Sequence, residues 1–312
     1  MIVSVGDRLG QYILVEKIGQ GGYADVFEAR DRFLGRRVAI KVLRSKRFTR
    51  ENVHTFLAEA QMLSRLKHLH IVEVIEFNIE NHIPYLVMEL ATGGTLRKRH
   101  PLGKQLSLEI ILGYLQQIVE ALDFIHHFEG GLVHLDVKPE NMLIMEDGRV
   151  VLNDFGIATF LKTRLAGKKE CVGTIHYMAP ECFRGRASAA SDQYALAVVV
   201  YSWLTGMYPF DGTALVDDYP YDSTWSRIAR QHMYAPPPAI RCARPDVSIA
   251  VEQVVLQAMA KDPRDRFESV TEFVASLDAA WAVSQLPNQG FTNKFDQFIH
   301  ALIGFISRSQ RF

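Results

Sequence analysis

The sequence is poor in cysteine, in net charge and in long apolar runs, and each shortage closes off a class of protein. Cys171, Cys182 and Cys242 are its three thiols, an odd number with no CxxC spacing. Neither a disulfide framework nor a zinc knuckle is therefore expected, and a reducing, cytoplasmic setting is. Lys plus Arg and Asp plus Glu number 35 each, so no global field draws the chain to nucleic acid or anionic lipid. Met1 to Gly10 lacks the basic start and apolar run of a secretory signal. The longest stretch without formal charge, Gln193 to Phe210, has 18 residues and is interrupted by Ser202, Thr205, Gly206 and Pro209. It is expected to be a helix buried in the centre of a large lobe, not a transmembrane segment. What remains is an ordinary globular balance: 312 residues, 48% hydrophobic and 22% charged, enough for one two-lobed domain or two small ones.

The hydrophobic period changes near residue 100. Before it, Tyr12 to Ile18, Ala24 to Ala29, Arg37 to Leu43, Ile71 to Phe77 and Pro84 to Leu90 read as strands between Gly, Asn and charged turns. One helix, about Glu51 to Lys67, breaks the series. After residue 100, Ser107 caps a helix whose Ile111, Leu115, Ile118, Leu122 and Ile125 share a face, and Gly130-Gly131 follows its end. A hairpin is expected where Met142 to Met145 and Arg149 to Leu152 flank Asp147-Gly148. The run from Asp154 to Glu181 has little periodicity and is too long for an ordinary connection, which marks it as functional.

Three features carry chemistry. Gly19-Gln20-Gly21-Gly22-Tyr23-Ala24 lies between two strands, where a dinucleotide fingerprint would need a helix to follow. Glycines at a hairpin tip let backbone amides approach phosphate oxygens that a Cβ would hold off. Lys41 ends the apolar strand Val38-Ala39-Ile40 and needs an anion, which Glu59 or a nucleotide's phosphates can supply. His134-Leu135-Asp136-Val137-Lys138-Pro139-Glu140-Asn141, Asp154-Phe155-Gly156 and Ala179-Pro180-Glu181 then follow in order.

Together these motifs make residues of about 12 to 280 resemble a eukaryotic-like (Hanks-type) bacterial Ser/Thr protein kinase. The resemblance implies an α+β, two-lobed fold. An N-terminal antiparallel sheet lobe with one main helix (about 12–90) would precede a larger, mostly helical C-terminal lobe (about 92–280), and 281–312 would form a tail. It implies ATP and Mg2+ or Mn2+ as cofactors, and Ser/Thr hydroxyls of proteins as acceptors. By resemblance, Asp136 takes the acceptor proton, Lys138 reaches the transferred phosphoryl group, and Asn141 and Asp154 hold the metal. Lys41 pairs with Glu59, and Thr174 belongs to the Ser/Thr-specific pattern. The adenine slot would be Ile18, Val26 and Ala39 above Leu143, with Glu89 to Ala91 along the purine edge, Met88 at the rear and Gly19, Gln20, Gly21 and Gly22 over the phosphates. Leu63, Val74, His134 and Phe155 would stack between the lobes, so His134 packs and is not a base. His68 and His70 match a family pair and lack a third metal ligand. Glu181 is expected to pair with Arg266, and Asp192 to cap its helix and brace the catalytic loop.

Departures from the family matter as well. Leu135 stands where kinases switched on by loop phosphorylation carry arginine, and Ala166 to Val172 contains no Ser or Thr. Activity independent of phosphate in that loop follows, with Thr159 and Thr163 the remaining acceptors. Ala24 replaces the third lid glycine at little expected cost. Asp217 to Trp225 is read as a solvated surface loop, and Pro236 to Pro238 as a stiff connector. Phe295, Phe298, Ile299, Leu302, Ile303 and Ile306 share one helical face. Residues 295–306 are expected to dock on the large lobe, because Lys294, Arg308 and Arg311 make a thin rim for peripheral membrane contact; pairing into a homodimer is the other reading. The competing function is a pseudokinase scaffold that binds nucleotide or partners without transfer.

Overall fold

Alternating and β-branched residues in the first ninety positions build one antiparallel sheet in the computed structural model, which describes residues 3–20, 24–43, 60–61, 63–154, 175–213 and 223–286. Its strands are β1 (Arg8–Leu9), β2 (Tyr12–Gln20), β3 (Ala24–Asp31), β4 (Arg37–Leu43), β5 (Val74–Glu80) and β6 (Ile83–Met88), in the order β1-β2-β3-β4-β6-β5. β4 shows how the two-residue period sorts side chains. Val38, Ile40 and Val42 join Tyr12, Leu14 and Phe27 in a core on one face, while Ala39 and Leu43 join the core on the other. Lys41, in step with Ala39 and Leu43, therefore points to the same side as they do.

The fifth strand begins at Val74, not at Ile71. Ile71 makes a parallel bridge to Leu152, and Val72 donates to the Leu152 carbonyl at 3.0 Å. These residues tie the sheet to the helical lobe before the strand starts. Of the expected helix at 51–67, residues 44–59 and 62 lie outside the description, and residues 60–61 and 63–65 are helical.

The second lobe is helical around a central rod. α1 (Leu96–Arg99) leads to α2 (Leu108–His127), which Ser107 caps by accepting from Ile110 N and whose Ile111, Leu115, Ile118, Leu122 and Ile125 are buried. The hairpin β7 (Met142–Ile144) and β8 (Val150–Leu152) closes with Gly148 at φ 87°. α3 (Ala189–Thr205) is buried at every residue from Ser191 to Thr205, and Asp192 is its one charged side chain. α4 (Thr224–Tyr234), α5 (Ile240–Ala243), α6 (Ile249–Ala258) and α7 (Val270–Ser284) surround it. Among the described residues no helix is long and apolar enough to cross a membrane. A sheet-rich N-terminal lobe thus precedes a helical C-terminal lobe, the two-lobed α+β architecture expected from the sequence.

Candidate active site

The cleft between the lobes is a cavity of about 730 Å³. Ile18, Gly19, Gln20, Val26, Ala39 and Lys41 line it from the sheet. Met88 lines it from the end of β6, Glu89 and Ala91 from the connection between lobes, and Lys138, Asn141, Leu143 and Asp154 from the helical lobe. Between the lining residues Thr92 and Gly94 lies Gly93, whose N–H donates to the Ile144 carbonyl at 2.9 Å. A Cβ there would lie 2.7 Å from Ile144 side-chain atoms and 2.8 Å from its carbonyl oxygen, so only glycine lets the connection lie this close to β7.

Lys41 Nζ donates to Asp154 Oδ1 at 2.6 Å, across 113 residues of sequence. Its side chain is 13% exposed and that of Asp154 36%, so the pair sits at the wall of an open cavity. Lys138 Nζ donates to Asp136 Oδ2 at 2.7 Å. Asn141 Nδ2 donates to the Asp136 carbonyl at 2.9 Å and to its Oδ2 at 3.0 Å. The carbonyl of Asn141 in turn accepts from Asn153 N at 2.9 Å, which locks the catalytic loop to the residue before Asp154.

The loop is held from below by one buried carboxylate. Asp192, fully buried, accepts from His134 N at 2.8 Å, from Leu135 N at 2.7 Å and from His126 Nε2 at 2.9 Å. Bracing of the catalytic loop is thus observed, but Asp192 does not cap its helix. Ser188 is the cap, in a reciprocal pair with Ser191. Ser188 N donates to Ser191 Oγ at 3.1 Å and Ser191 N to the Ser188 carbonyl at 2.8 Å, while the Asp192 side chain reaches distant amides. Leu135, whose N–H is held this way, has φ 61°, and Asp154 has φ 59°.

His134 is fully buried, its Nδ1 accepting from Asp136 N at 3.2 Å and its Nε2 donating to the Asn153 carbonyl at 3.0 Å. Burial pushes its pKa down, against the pull of Asp192 and Asp136, so the ring is neutral and structural. His68 stacks on Phe124 at 5.0 Å, and His70 Nδ1 bonds the Val150 carbonyl at 2.8 Å. Glu181 and Arg266 meet through two bonds of 2.7 and 2.8 Å, and Ser191 Oγ adds a third to Glu181 at 2.7 Å. Burial alone would raise the Glu181 pKa, but its bonds to the Arg266 guanidinium outweigh this and hold it below the ordinary carboxylate range.

Glu59, Gly21, Gly22, Thr174 and Phe155, like Thr159, Thr163 and 295–306, lie outside the described residues. One contact near the site was not foreseen. Arg97 donates to Glu140 Oε1 at 2.7 Å and to the Tyr177 hydroxyl, joining α1, the catalytic loop and the segment before Ala179. No local pattern marks it, since its partners are 43 and 80 residues away.

A cleft that sets a strand lysine against an aspartate, beside a loop aspartate, lysine and asparagine, is the arrangement of a protein kinase. Comparison with known proteins agrees: the protein kinase domain family matches residues 12–277, and the chain belongs to that family. It is 36% identical over 298 residues to the serine/threonine-protein kinase PrkC of Bacillus subtilis, covering 94% of this chain and 44% of that protein. To the serine/threonine-protein kinase PknA of Mycobacterium tuberculosis it is 36% identical over 291 residues, covering 91% of this chain and 64% of that one. The crystal structure of the Mycobacterium tuberculosis PknI kinase domain superposes with a TM-score of 0.67 at 26% identity, over 89% of this chain and all of that one. The chain spans roughly two fifths of the length of PrkC.

Proposed function

We propose that this chain is a Ser/Thr protein kinase that transfers the ATP γ-phosphoryl group to Ser and Thr hydroxyls of proteins. The carrying observation is that Lys41, Asp154, Lys138 and Asn141, spread over more than a hundred positions, line one cavity, and that Lys138 and Asn141 both donate to Asp136. Phosphoryl transfer needs little covalent chemistry from the protein and much positioning of charge. The cavity offers an apolar slot of Ile18, Val26, Ala39 and Leu143 for the purine, with Met88 at its rear and Glu89 and Ala91 along its edge. The lid residues Gly19 to Gly22 would cover the phosphates, and Lys41, bonded to Asp154 and expected to pair with Glu59, would draw them in.

The donor set suits a hard divalent cation, Mg2+ or Mn2+. Asn141 turns its amide nitrogen to Asp136, which leaves Oδ1 for an ion; Asp154 engages Lys41 through Oδ1, which leaves Oδ2. A cation held there neutralises charge on the phosphates. Asp136 orients the acceptor hydroxyl and takes its proton, while Lys138, now on Asp136, moves to the γ-phosphoryl group. Thr174 completes the acceptor side in the Ser/Thr pattern.

The expected setting is cytoplasmic. The kinase domain would span 12–280, with the tail 281–312 docking on the large lobe through 295–306. Neutral net charge gives no global field for nucleic acid, and protein substrates are what the kinase domain supports. Leu135 has no guanidinium to receive a loop phosphate, so activity does not depend on phosphate there. Incubation with labelled ATP, Mg2+ or Mn2+ and a generic protein, beside Asp136→Asn, tests the proposal. Label on Ser or Thr that vanishes in the variant supports it; nucleotide binding without transfer identifies a pseudokinase scaffold. Phosphatase pretreatment should change turnover by less than about tenfold, an effect far short of a lost charge-assisted clamp.

A further inference from the structure

A second cavity, of about 580 Å³, lies in the helical lobe away from the nucleotide cleft. Pro180 and Glu181 begin its wall, Arg184 and Arg186 continue it, and the run Lys261 to Arg264 closes it opposite Met233. Its charges are unevenly committed. The Glu181 carboxylate is consumed by Arg266 and Ser191, and Asp262 accepts from both the side chain and the backbone N–H of Arg264. Lys261 donates to the His232 carbonyl at 2.8 Å and rests 4.3 Å from the centre of the Phe210 ring. Arg184 and Arg186 are exposed, and among the described residues no carboxylate answers either guanidinium. Both acids of the cavity are taken while two forked cations stay open, so the basin is complementary to carboxylates.

The acceptor side of the cleft carries the same bias. Glu140, four residues beyond Asp136, is the acid nearest that loop on this side, and its charge is paired with Arg97 through Oε1 at 2.7 Å. Arg97 also bonds Tyr177, and Arg184 is seven residues further along the chain. Seven residues span at most about 25 Å, so the basin lies within that distance of Tyr177, and an extended peptide that passes the Arg97–Glu140 pair can reach it.

We propose that this basin docks an acidic segment of the protein substrate, whose carboxylates pair with Arg184 and Arg186 while Met233, Pro180 and Pro263 take an adjoining apolar side chain. The inference rests on the kinase reading and names its substrate class. Fluorescence anisotropy of the full chain, with a labelled peptide that joins a threonine to a run of glutamates, tests it against the same peptide carrying glutamines. The wild type should bind the glutamate peptide, and R184E/R186E should bind it at least about tenfold more weakly, the scale of losing charge pairs at an interface. R184Q/R186Q should show a smaller loss in the same direction, and added salt should weaken wild-type binding. Equal binding of both peptides, or binding unchanged by the charge reversal, overturns the proposal. A wild-type dimer that R184E/R186E dissolves assigns the basin to a second copy of the chain and overturns it too. Phosphotransfer is measured separately with labelled ATP: docking without any transfer sinks the kinase reading, and transfer without preference for the acidic peptide sinks the docking.

Discussion

Lys41–Asp154 and Glu181–Arg266 are ion pairs of nearly equal length, 2.6 and 2.7 Å, in one molecule. They differ in everything around them. The first lies on the wall of an open cavity, and the Asp154 side chain is 36% exposed. The second is enclosed, with side chains 0% and 7% exposed, and its guanidinium also donates to the carbonyls of Ala190 and Ala260 and lies over the Tyr194 ring. An ion pair that water and ligands can reach exchanges partners at small cost, whereas a sealed one leaves a bare charge in a low dielectric when either partner goes. Accessibility, not distance, separates the functional pair from the structural one.

The comparison breaks first on activity. Asp154→Asn should lower turnover by about 100- to 1000-fold, as removal of one charge-stabilising group does, while its urea midpoint moves little; a large stability loss would make the cleft pair structural. Arg266→Met should do the reverse. It strands Glu181 and should cost about 3–5 kcal/mol in urea unfolding, whereas a loss under about 1 kcal/mol is what a surface pair gives. The pH dependence sharpens this contrast. The folded pKa of Glu181 lies below its ordinary 4.5, so the stability it contributes is fully present above that value and lost as pH falls through the folded pKa. Arg266→Met should therefore flatten the acid limb of stability against pH.

A smaller effect should fall on stability and nucleotide binding at once. Gly93→Ala forces a Cβ into Ile144 and should cost about 1–3 kcal/mol, as overpacking does, and raise the KM for ATP because the connection beside Ala91 shifts. Smallest of all, Leu135→Asn should raise stability by up to about 1 kcal/mol, since asparagine adopts positive φ more readily than leucine. A decrease in the urea midpoint would show that Leu135 packing outweighs its backbone strain.

Elements with local causes were readable from sequence. The face of α2 from Ile111 to Ile125, its Ser107 cap and the Gly148 turn lie where residue spacing places them. Ile71 misled because its extended backbone serves a bridge to Leu152, 81 residues on, and not the strand that follows. Asp192 looked like a cap because aspartate near a helix start usually is one; its true partners, His134 and Leu135, are 58 and 57 residues away. Arg97 on Glu140 and Tyr177 left no trace in the spacing for the same reason.

Residue order alone determined which groups this protein could use: a strand lysine, a loop with aspartate, lysine and asparagine, a second aspartate after a hairpin, and a core patterned at two and then at 3.6 residues. Periodicity and turn chemistry act over a few positions, so they can be read from neighbours. Which charges stay open and which are sealed was decided only by tertiary packing. Arg184 and Arg266 are the same residue type, yet chains far apart in sequence enclose one and leave the other exposed, and the energy of a charge depends on what surrounds it.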